Sequence, residues 1–411
     1  MTTPACRFCG APLTQTLVDL GETPLANAYL TAVALAAPEP RFPLHARVCG
    51  RCRLVQVDAV TTPEALFGHY AYFSSYAASW VEHARRFTEM AARRFALGPA
   101  SRVVEVASND GYLLRHFVAA GVPVLGVEPA ANVAETARTA GVPTETRFFG
   151  LTAARDLAAR GFSADLLVGN NVLAHVPDLN DFVAGLAFLL KADGVLSMEF
   201  PHLLRLMAEC QFDTIYHEHF CYFSLLAVER VFAAHGLRVF DVEELPTHGG
   251  SLRVMACRAA SAAHATGPGV AKLRADEAAA GLDDDAAYAG FAPRVEAVRD
   301  ALTSFLAAAR AAGCSVAAYG AAAKGNTLLN YCRLGAADIA YAVDRNPHKQ
   351  GHYLPGSHLP ILAPEALRET RPDYVLILPW NLREEIVAEH AHIRDWGGRF
   401  VVPVPTTRVL P

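Results

Sequence analysis

The amino-acid sequence predicts an α/β protein in three parts: a small cysteine-built metal module at residues 1–66, a doubly wound sheet at 67–257 and a second, Rossmann-like unit at 258–411. Three observations carry this. Two C-x-x-C pairs lie near the start, a strand–turn–helix alternation begins near residue 102, and the alternation restarts near residue 315. The length of 411 residues suits two or three domains, and 52% hydrophobic against 19% charged residues exclude a mainly disordered chain. With 36 Lys+Arg and 41 Asp+Glu the net charge is −5, which provides no overall field for nucleic acid or an anionic membrane. No apolar run reaches the roughly 18–20 residues of a membrane span. The first residues lack the basic and apolar regions of a signal peptide, so a cytosolic setting with reduced cysteines is expected.

The first element is the metal module. Cys6, Cys9, Cys49 and Cys52 form two knuckles, each able to bring two thiolates to one ion from a tight turn. The pattern reads as a zinc site; two disulfides are the alternative. Four sulfurs leave no open position, so the ion is expected to be structural. The stretch between the knuckles exceeds the usual spacing and must carry structure of its own. Arginines cluster near the second knuckle, but no aromatic-interleaved basic stripe accompanies them, so nucleic-acid binding is not expected. Cys210, Cys221, Cys257, Cys314 and Cys332 have no ligand spacing and read as buried thiols.

The second element is the central sheet. Trp80, Ala84, Phe87, Ala91 and Phe95 recur at helical spacing over residues 75–97, and Gly98-Pro99 ends that helix. Val103, Val104 and Val106 form a β-branched strand, followed by the turn Ser108-Asn109-Asp110-Gly111 and a helix. The turn is not G-x-G-x-x-G. Glu105, Asn109 and Asp110 make it acidic, which repels a pyrophosphate but suits the ammonium, sulfonium and ribose of S-adenosylmethionine. Glu128, ending the second strand, is placed to accept ribose hydroxyls. Phe149 is expected beside the adenine, and Asn170 and Asn171 follow the next strand. The alternation resembles a class I methyltransferase; a nicotinamide dehydrogenase and an α/β domain without a ligand are the other readings.

Next comes Tyr216-His217-Glu218-His219. It is not H-E-x-x-H, whose histidines share a helix face to bind zinc. A histidine beside a carboxylate and a phenol supplies a base and an oxyanion donor instead. In a straight strand Tyr216 and His219 point to opposite faces, so a site using both requires a bend. His175 lies after a core strand, where this fold presents groups to a cofactor, and is otherwise a packing residue. Tyr70 and Tyr72, in an aromatic stretch before the first helix, either wall a cofactor pocket or pack between domains.

The third part follows a hairpin at 236–257 that closes the central sheet. Residues 258–285 are rich in Ala, Gly and Asp and read as a linker or an exposed helical stretch, not a core. A helix at about 290–312 and strands at 315–319, 339–343 and 374–378 make the second Rossmann-like unit. Its loop Gly320–Gly325 holds Lys324 beside a helix N-terminus, which suits a phosphate, or is simply structural.

Taken in order, the four-cysteine module, Y-x-Y-F-S-S, E-x-A-S-N-D-G, N-N-V-L-A-H-V, Y-H-E-H and G-A-A-A-K-G-N-T resemble the sugar C-methyltransferases that act on nucleotide-linked ketosugars, over about residues 5–405. The resemblance implies S-adenosylmethionine as cofactor, a structural zinc, and a dTDP-4-keto-6-deoxysugar methylated at C-3. It implies His219 as the base, Glu218 supporting it, and Tyr216, His175 and Tyr70 or Tyr72 steadying the enolate or the sugar. His248, Gly250 and Ser251 in the hairpin, with Lys324, Asn326, Trp380 and Asn381, would contact the substrate and its diphosphate. The only partner implied is the nucleotide sugar, with no nucleic acid or membrane, and a monomer is compatible with three packed domains. A methyltransferase of O- or N-nucleophiles and a noncatalytic zinc- and nucleotide-binding protein are the rival classes.

Overall fold

A computed structural model describes residues 3–68 and 73–410. The strands Gln15–Thr23, Phe42–Val48, Val55–Gln56 and Cys221–Tyr222 make an antiparallel N-terminal sheet in that order. The last of these comes from the middle of the chain, just after the H-E-H segment. The module is therefore completed by the domain it precedes.

The central sheet has seven strands in the order Leu237–Leu245, Ser251–Arg258, Leu190–Pro201, Ala164–Asn170, Val103–Val106, Val124–Val127 and Thr144–Glu145. The five that enter first are parallel, and Ser251–Arg258 inserts antiparallel beside Leu190–Pro201. Val103, Val104, Glu105 and Val106 are all buried, as an interior strand of a covered parallel sheet requires. The helix Ala78–Arg94 buries Trp80, Ala84, Phe87 and Ala91, the stripe read from the sequence.

The C-terminal sheet runs Ile361–Leu362, Ala342–Val343, Val316–Tyr319, Tyr374–Ile377, Arg399–Val402 and Arg408–Val409, parallel except at the last strand. This is the doubly wound order expected of a Rossmann-like unit. Gly320, at φ +91, turns sharply after the first strand, and a Cβ there would meet Pro379 Cδ at 2.5 Å.

Two cores divide the N-terminal module. Leu17, Val18 and Leu44 join a core with Val295 and Leu302 of the helix Phe291–Ala311 and with Leu328 of the C-terminal unit. Cys6, Cys49, Cys52 and Leu54 join the central-sheet core with Phe220 and Phe223.

Residues 258–285 depart from the sequence expectation. The helix Pro268–Ala279 buries Val270 and Leu273 in the central-sheet core. Its buried Glu277 accepts from the backbone amides of Leu225 (2.6 Å) and Leu226 (2.8 Å), at the start of the helix Leu225–Ala234, and lies 2.8 Å from His202 Nε2. A carboxylate serving orphan helix amides docks this element where apolar periodicity is too sparse to announce it. Among the five remaining thiols, Cys314 is partly exposed and the others are buried. No helix among the described residues is long and apolar enough to cross a membrane.

Candidate active site

The cysteine sulfurs converge as their spacing predicts. Cys6, Cys9, Cys49 and Cys52 place their Sγ atoms within 4.8 Å of one another, and Cys6–Cys52 and Cys9–Cys49 stand 3.5 Å apart, unbonded. A tetrahedral ion with Zn–S near 2.3 Å spaces its sulfurs by about 3.8 Å, so the four-thiol donor set fits zinc. Gln56 Nε2 donates to Cys6 Sγ (3.2 Å), and Arg7, within the first knuckle, donates to the carbonyls of Pro177 and Val57 and covers the Phe220 ring. The knuckle thus rests against both the turn that follows His175 and the residue that follows His219.

At the carboxyl edge of the central sheet the first turn is left-handed at Asn109 and Gly111. Glu128 accepts from the amides of Asn109 (2.9 Å) and Ala130 (2.8 Å), which lock its carboxylate at the rim. Asn109 and Asp110 accept from the amides of Ser74 (2.8 Å) and Ser75 (3.0 Å), so the S-S pair of the aromatic segment lies on the acidic turn. Tyr70 and Tyr72 themselves fall outside the described residues. Burial, then Asp110, then Glu128 push the Glu105 carboxyl well above its ordinary range. Ser108 Oγ, Asp110 Oδ1, Asn170 Oδ1 and Asn171 Oδ1 are buried with no protein partner. Crowded carboxylates and free acceptors fit a ligand that brings an ammonium, a sulfonium and ribose hydroxyls. Phe149 lies edge-on to Phe182 at 5.6 Å between ring centroids.

The bend required at the H-E-H segment is present. The His219 amide donates to the Tyr216 carbonyl (2.9 Å), closing a turn that puts both rings together at a centroid distance of 4.0 Å. A carbonyl only accepts, so His219 Nδ1 carries the hydrogen that it donates to the Thr214 carbonyl (2.9 Å). Nε2 is then the acceptor and receives the Tyr216 hydroxyl at 2.7 Å. His175 stands edge-on at 4.7 Å between centroids. Burial holds His175 down at about 4, and burial, then His175, hold His219 well below 6.5. Both are neutral at pH 7, the state a base needs.

Glu218 turns away from His219. It accepts from Asn27 Nδ2 (2.7 Å) on the N-terminal module, and His217 reaches the Pro43 carbonyl (3.1 Å) there. The group that orients His219 is therefore Thr214, not Glu218. Burial pushes the Glu218 carboxyl up to about 7 against the pull of Asn27 and Lys349. An acid whose folded pKa is raised destabilises the fold, from nothing below the unfolded value of about 4.5 to its full amount above about 7. Glu218→Gln keeps the bond from Asn27 and removes the charge. Its melting temperature should match the native protein at pH 4.5 and exceed it at pH 8, by a stability difference on the order of 3 kcal/mol. A difference independent of pH would contradict this.

The predicted substrate residues divide between an inner and an outer position. Gly250, Ser251, Trp380 and Asn381 line one cleft of about 710 Å³ between the central and C-terminal domains, whose walls carry Arg205 and Arg383 and also Glu209, Glu244, Glu384 and Glu385. Lys324 lies over the Trp380 ring at 4.6 Å and donates to Asn381 Oδ1 (2.7 Å). His248 is edge-on to Trp80 at 5.0 Å. Asn326 donates instead to the Ala26 carbonyl (2.5 Å), a tie between domains.

Sequence reading did not single out Asn27, Asp213, His83, Glu199 or Arg253. Asp213 accepts the Trp380 indole N–H (2.6 Å). Glu199 is buried and takes hydrogen bonds from Arg253 (2.7 Å), His83 (2.9 Å) and Thr247 (3.0 Å), beside His248. Burial alone would raise Glu199; His83 and Arg253 hold it below its ordinary range.

The acidic turn at the carboxyl edge of this sheet order places the chain in the class of S-adenosylmethionine-dependent methyltransferases. Residues 69–242 match the model of a methyltransferase domain, residues 6–67 that of a zinc binding domain and residues 246–405 that of a C-methyltransferase C-terminal domain. The C-methyltransferase NovU of Streptomyces niveus is 41% identical over 405 residues, covering 98% of this chain and 96% of NovU. The chain belongs to this C-methyltransferase family. A ubiquinone biosynthesis O-methyltransferase of Bartonella quintana is 28% identical over 96 residues, 23% of this chain and 39% of that one. The solved structure of magnesium protoporphyrin IX methyltransferase from Synechocystis with bound SAM covers 49% of this chain and 100% of that one, at 14% identity and a TM-score of 0.36.

Proposed function

We propose that this C-methyltransferase acts at C-3 of a dTDP-linked 4-keto-6-deoxysugar, through an enolate formed by proton abstraction at C-3. The observation that carries the reading is the pair Tyr216–His219, with an orienting carbonyl behind His219. A carbon becomes nucleophilic near neutral pH only when its proton is acidified, and a neighbouring ketone does that. His219 Nε2 takes the proton, and Tyr216 turns its hydroxyl from Nε2 to the substrate oxygen. His175 packs against the base and keeps water out. When bound, S-adenosylmethionine supplies an electrophilic methyl group on a sulfonium. Glu128 would hold its ribose and Asp110 its ammonium, while Asn170 and Asn171 border the methyl-bearing end.

The cleft of about 710 Å³ has room for a sugar nucleotide beside Trp380 and Asn381, with Arg205 and Arg383 paired to Glu244 (3.1 Å) and Glu384 (3.5 Å) on its walls. Zinc has a structural role in this reading, because four thiolates complete its coordination and no position faces the site.

Glu128→Ala removes two ribose acceptors and should raise the Kd for S-adenosylmethionine about 10–100-fold by titration calorimetry. An unchanged Kd would remove Glu128 from the pocket. The reading as a whole is tested by hydrogen exchange. In D₂O with S-adenosylhomocysteine, the C-3 proton of a dTDP-4-keto-6-deoxysugar should exchange in the presence of the enzyme. No exchange, with normal cofactor binding, would discard this substrate or the enolate.

A further inference from the structure

The carbonyl that fixes the His219 tautomer belongs to Thr214, the last residue of the short 3-10 turn Phe212–Thr214. Thr214 Oγ1 donates to the Gln211 carbonyl (2.7 Å) and closes that turn on itself. The peptide plane carrying the Thr214 carbonyl also holds the Ile215 amide, which donates to the Phe212 carbonyl (3.0 Å). The aim of the carbonyl is therefore set by the residues on either side of it.

Those residues are held by the C-terminal domain. Asp213 accepts the Trp380 indole N–H (2.6 Å), and the Ile215 carbonyl accepts from Thr327 Oγ1 (3.0 Å). The Phe212 ring lies edge-on to Tyr331 at 5.3 Å between centroids, and Phe212 and Ile215 share a core with Leu328 and Leu329. Thr327 lies on the helix Ala323–Tyr331, which follows the first strand of the C-terminal sheet, and Trp380 follows the strand Tyr374–Ile377. A Rossmann-like sheet presents its ligand-binding groups after the carboxyl ends of its strands. Here two residues from those positions are turned onto the segment behind the base. Trp380 is only 4% exposed: Asp213 takes its N–H, Lys324 lies over its ring at 4.6 Å, and a Cβ on Gly249 would stand 2.6 Å from it. Its contacts are chiefly inward, although its edge borders the cleft.

We propose that Trp380 and Thr327 are positioning residues for the base: by holding Asp213 and Ile215 they aim the Thr214 carbonyl, and that carbonyl keeps the hydrogen of His219 on Nδ1 and leaves Nε2 open to a proton. This rests on the reading of His219 as the base. The tautomer of a histidine is set by the bond its other nitrogen makes, and a small misplacement of a reacting group is costly in rate. The C-terminal domain thereby serves the proton transfer without touching the substrate carbon.

The test reads the tautomer directly. In protein labelled with ¹⁵N at histidine, the native enzyme should show a hydrogen-bonded Nδ1–H signal for His219, assigned by its loss in His219→Asn. Trp380→Phe removes the indole donor and keeps a ring; Thr327→Val removes the hydroxyl at nearly constant volume. In both, that signal should be lost or exchange-broadened, and C-3 exchange should fall about 10–10²-fold at saturating substrate. The Kd values for dTDP and S-adenosylmethionine should stay within about twofold. Thr327→Ser, which keeps the hydroxyl, should restore both signal and rate. An unchanged Nδ1–H signal in Trp380→Phe and Thr327→Val overturns the proposal whatever the rate, and so does undiminished exchange with the signal lost. A dTDP Kd weaker by about tenfold in Trp380→Phe, with exchange restored at saturation, also overturns it and makes Trp380 a substrate contact. If Trp380→Phe does not fold, the two Thr327 variants are held to the same outcomes. Absence of exchange in the native enzyme discards the enolate reading alone, and the tautomer signal still decides this proposal.

Discussion

His219→Asn should bind S-adenosylmethionine with unchanged affinity and lose methyl transfer by about 10²–10⁴-fold. The asparagine amide can keep the bond to the Thr214 carbonyl that His219 Nδ1 makes. It cannot accept a proton. The local turn is closed by main-chain atoms of Tyr216 and His219 and does not need the ring. Burial holds His219 well below 6.5, so the base stays neutral across the neutral range. The acid limb of kcat/KM in the native enzyme should therefore lie below pH 6.5, and Tyr216→Phe should lower kcat without moving it. Native turnover in His219→Asn would remove the base from the mechanism and leave the phenol of Tyr216 as the candidate.

The second large effect is expected from the metal module. Cys49→Ser should lose bound zinc, measured by atomic emission, and the melting temperature should fall on the order of 10 °C or more. The cause is connectivity. Cys49 and Cys52 immediately precede Val55–Gln56, the strand that pairs with Cys221–Tyr222, and Gln56 also bonds Cys6 Sγ. Without the ion, the strand behind the base loses its support, so methyl transfer should fall while S-adenosylmethionine affinity, set at the far turn, changes little. Zinc-free protein with native melting and impaired turnover would instead give the ion a part in the chemistry.

The elements legible in the sequence are those whose cause is local. Val103–Gly111 is a β-branched strand feeding an acidic turn, and both the strand and the left-handed turn appear in place. The C-x-x-C pairs carry their geometry in their spacing. Y-H-E-H shows its residue types, and even the need for a bend, but not what each side chain faces. Glu218 stands next to His219 in sequence yet is turned to Asn27 by a module folded from the other end of the chain. Asp213 and Glu199 look like ordinary acids until Trp380 and Arg253 arrive from distant elements. The helix Pro268–Ala279 is hidden because two apolar residues and one carboxylate dock it, too few to make a period.

The strand Cys221–Tyr222 also has a consequence in time. Residues that meet where the H-E-H segment touches the N-terminal module are far apart in the chain: Asn27 and Glu218 are separated by 191 positions. At translation rates of about 5–20 residues per second, the N-terminal segment leaves the ribosome some ten to forty seconds before its partner exists. During that interval the edge of Val55–Gln56 is open. Bound zinc would keep the two knuckles together through the wait, so metal supply during synthesis, more than metal affinity of the finished enzyme, would set the yield of active protein.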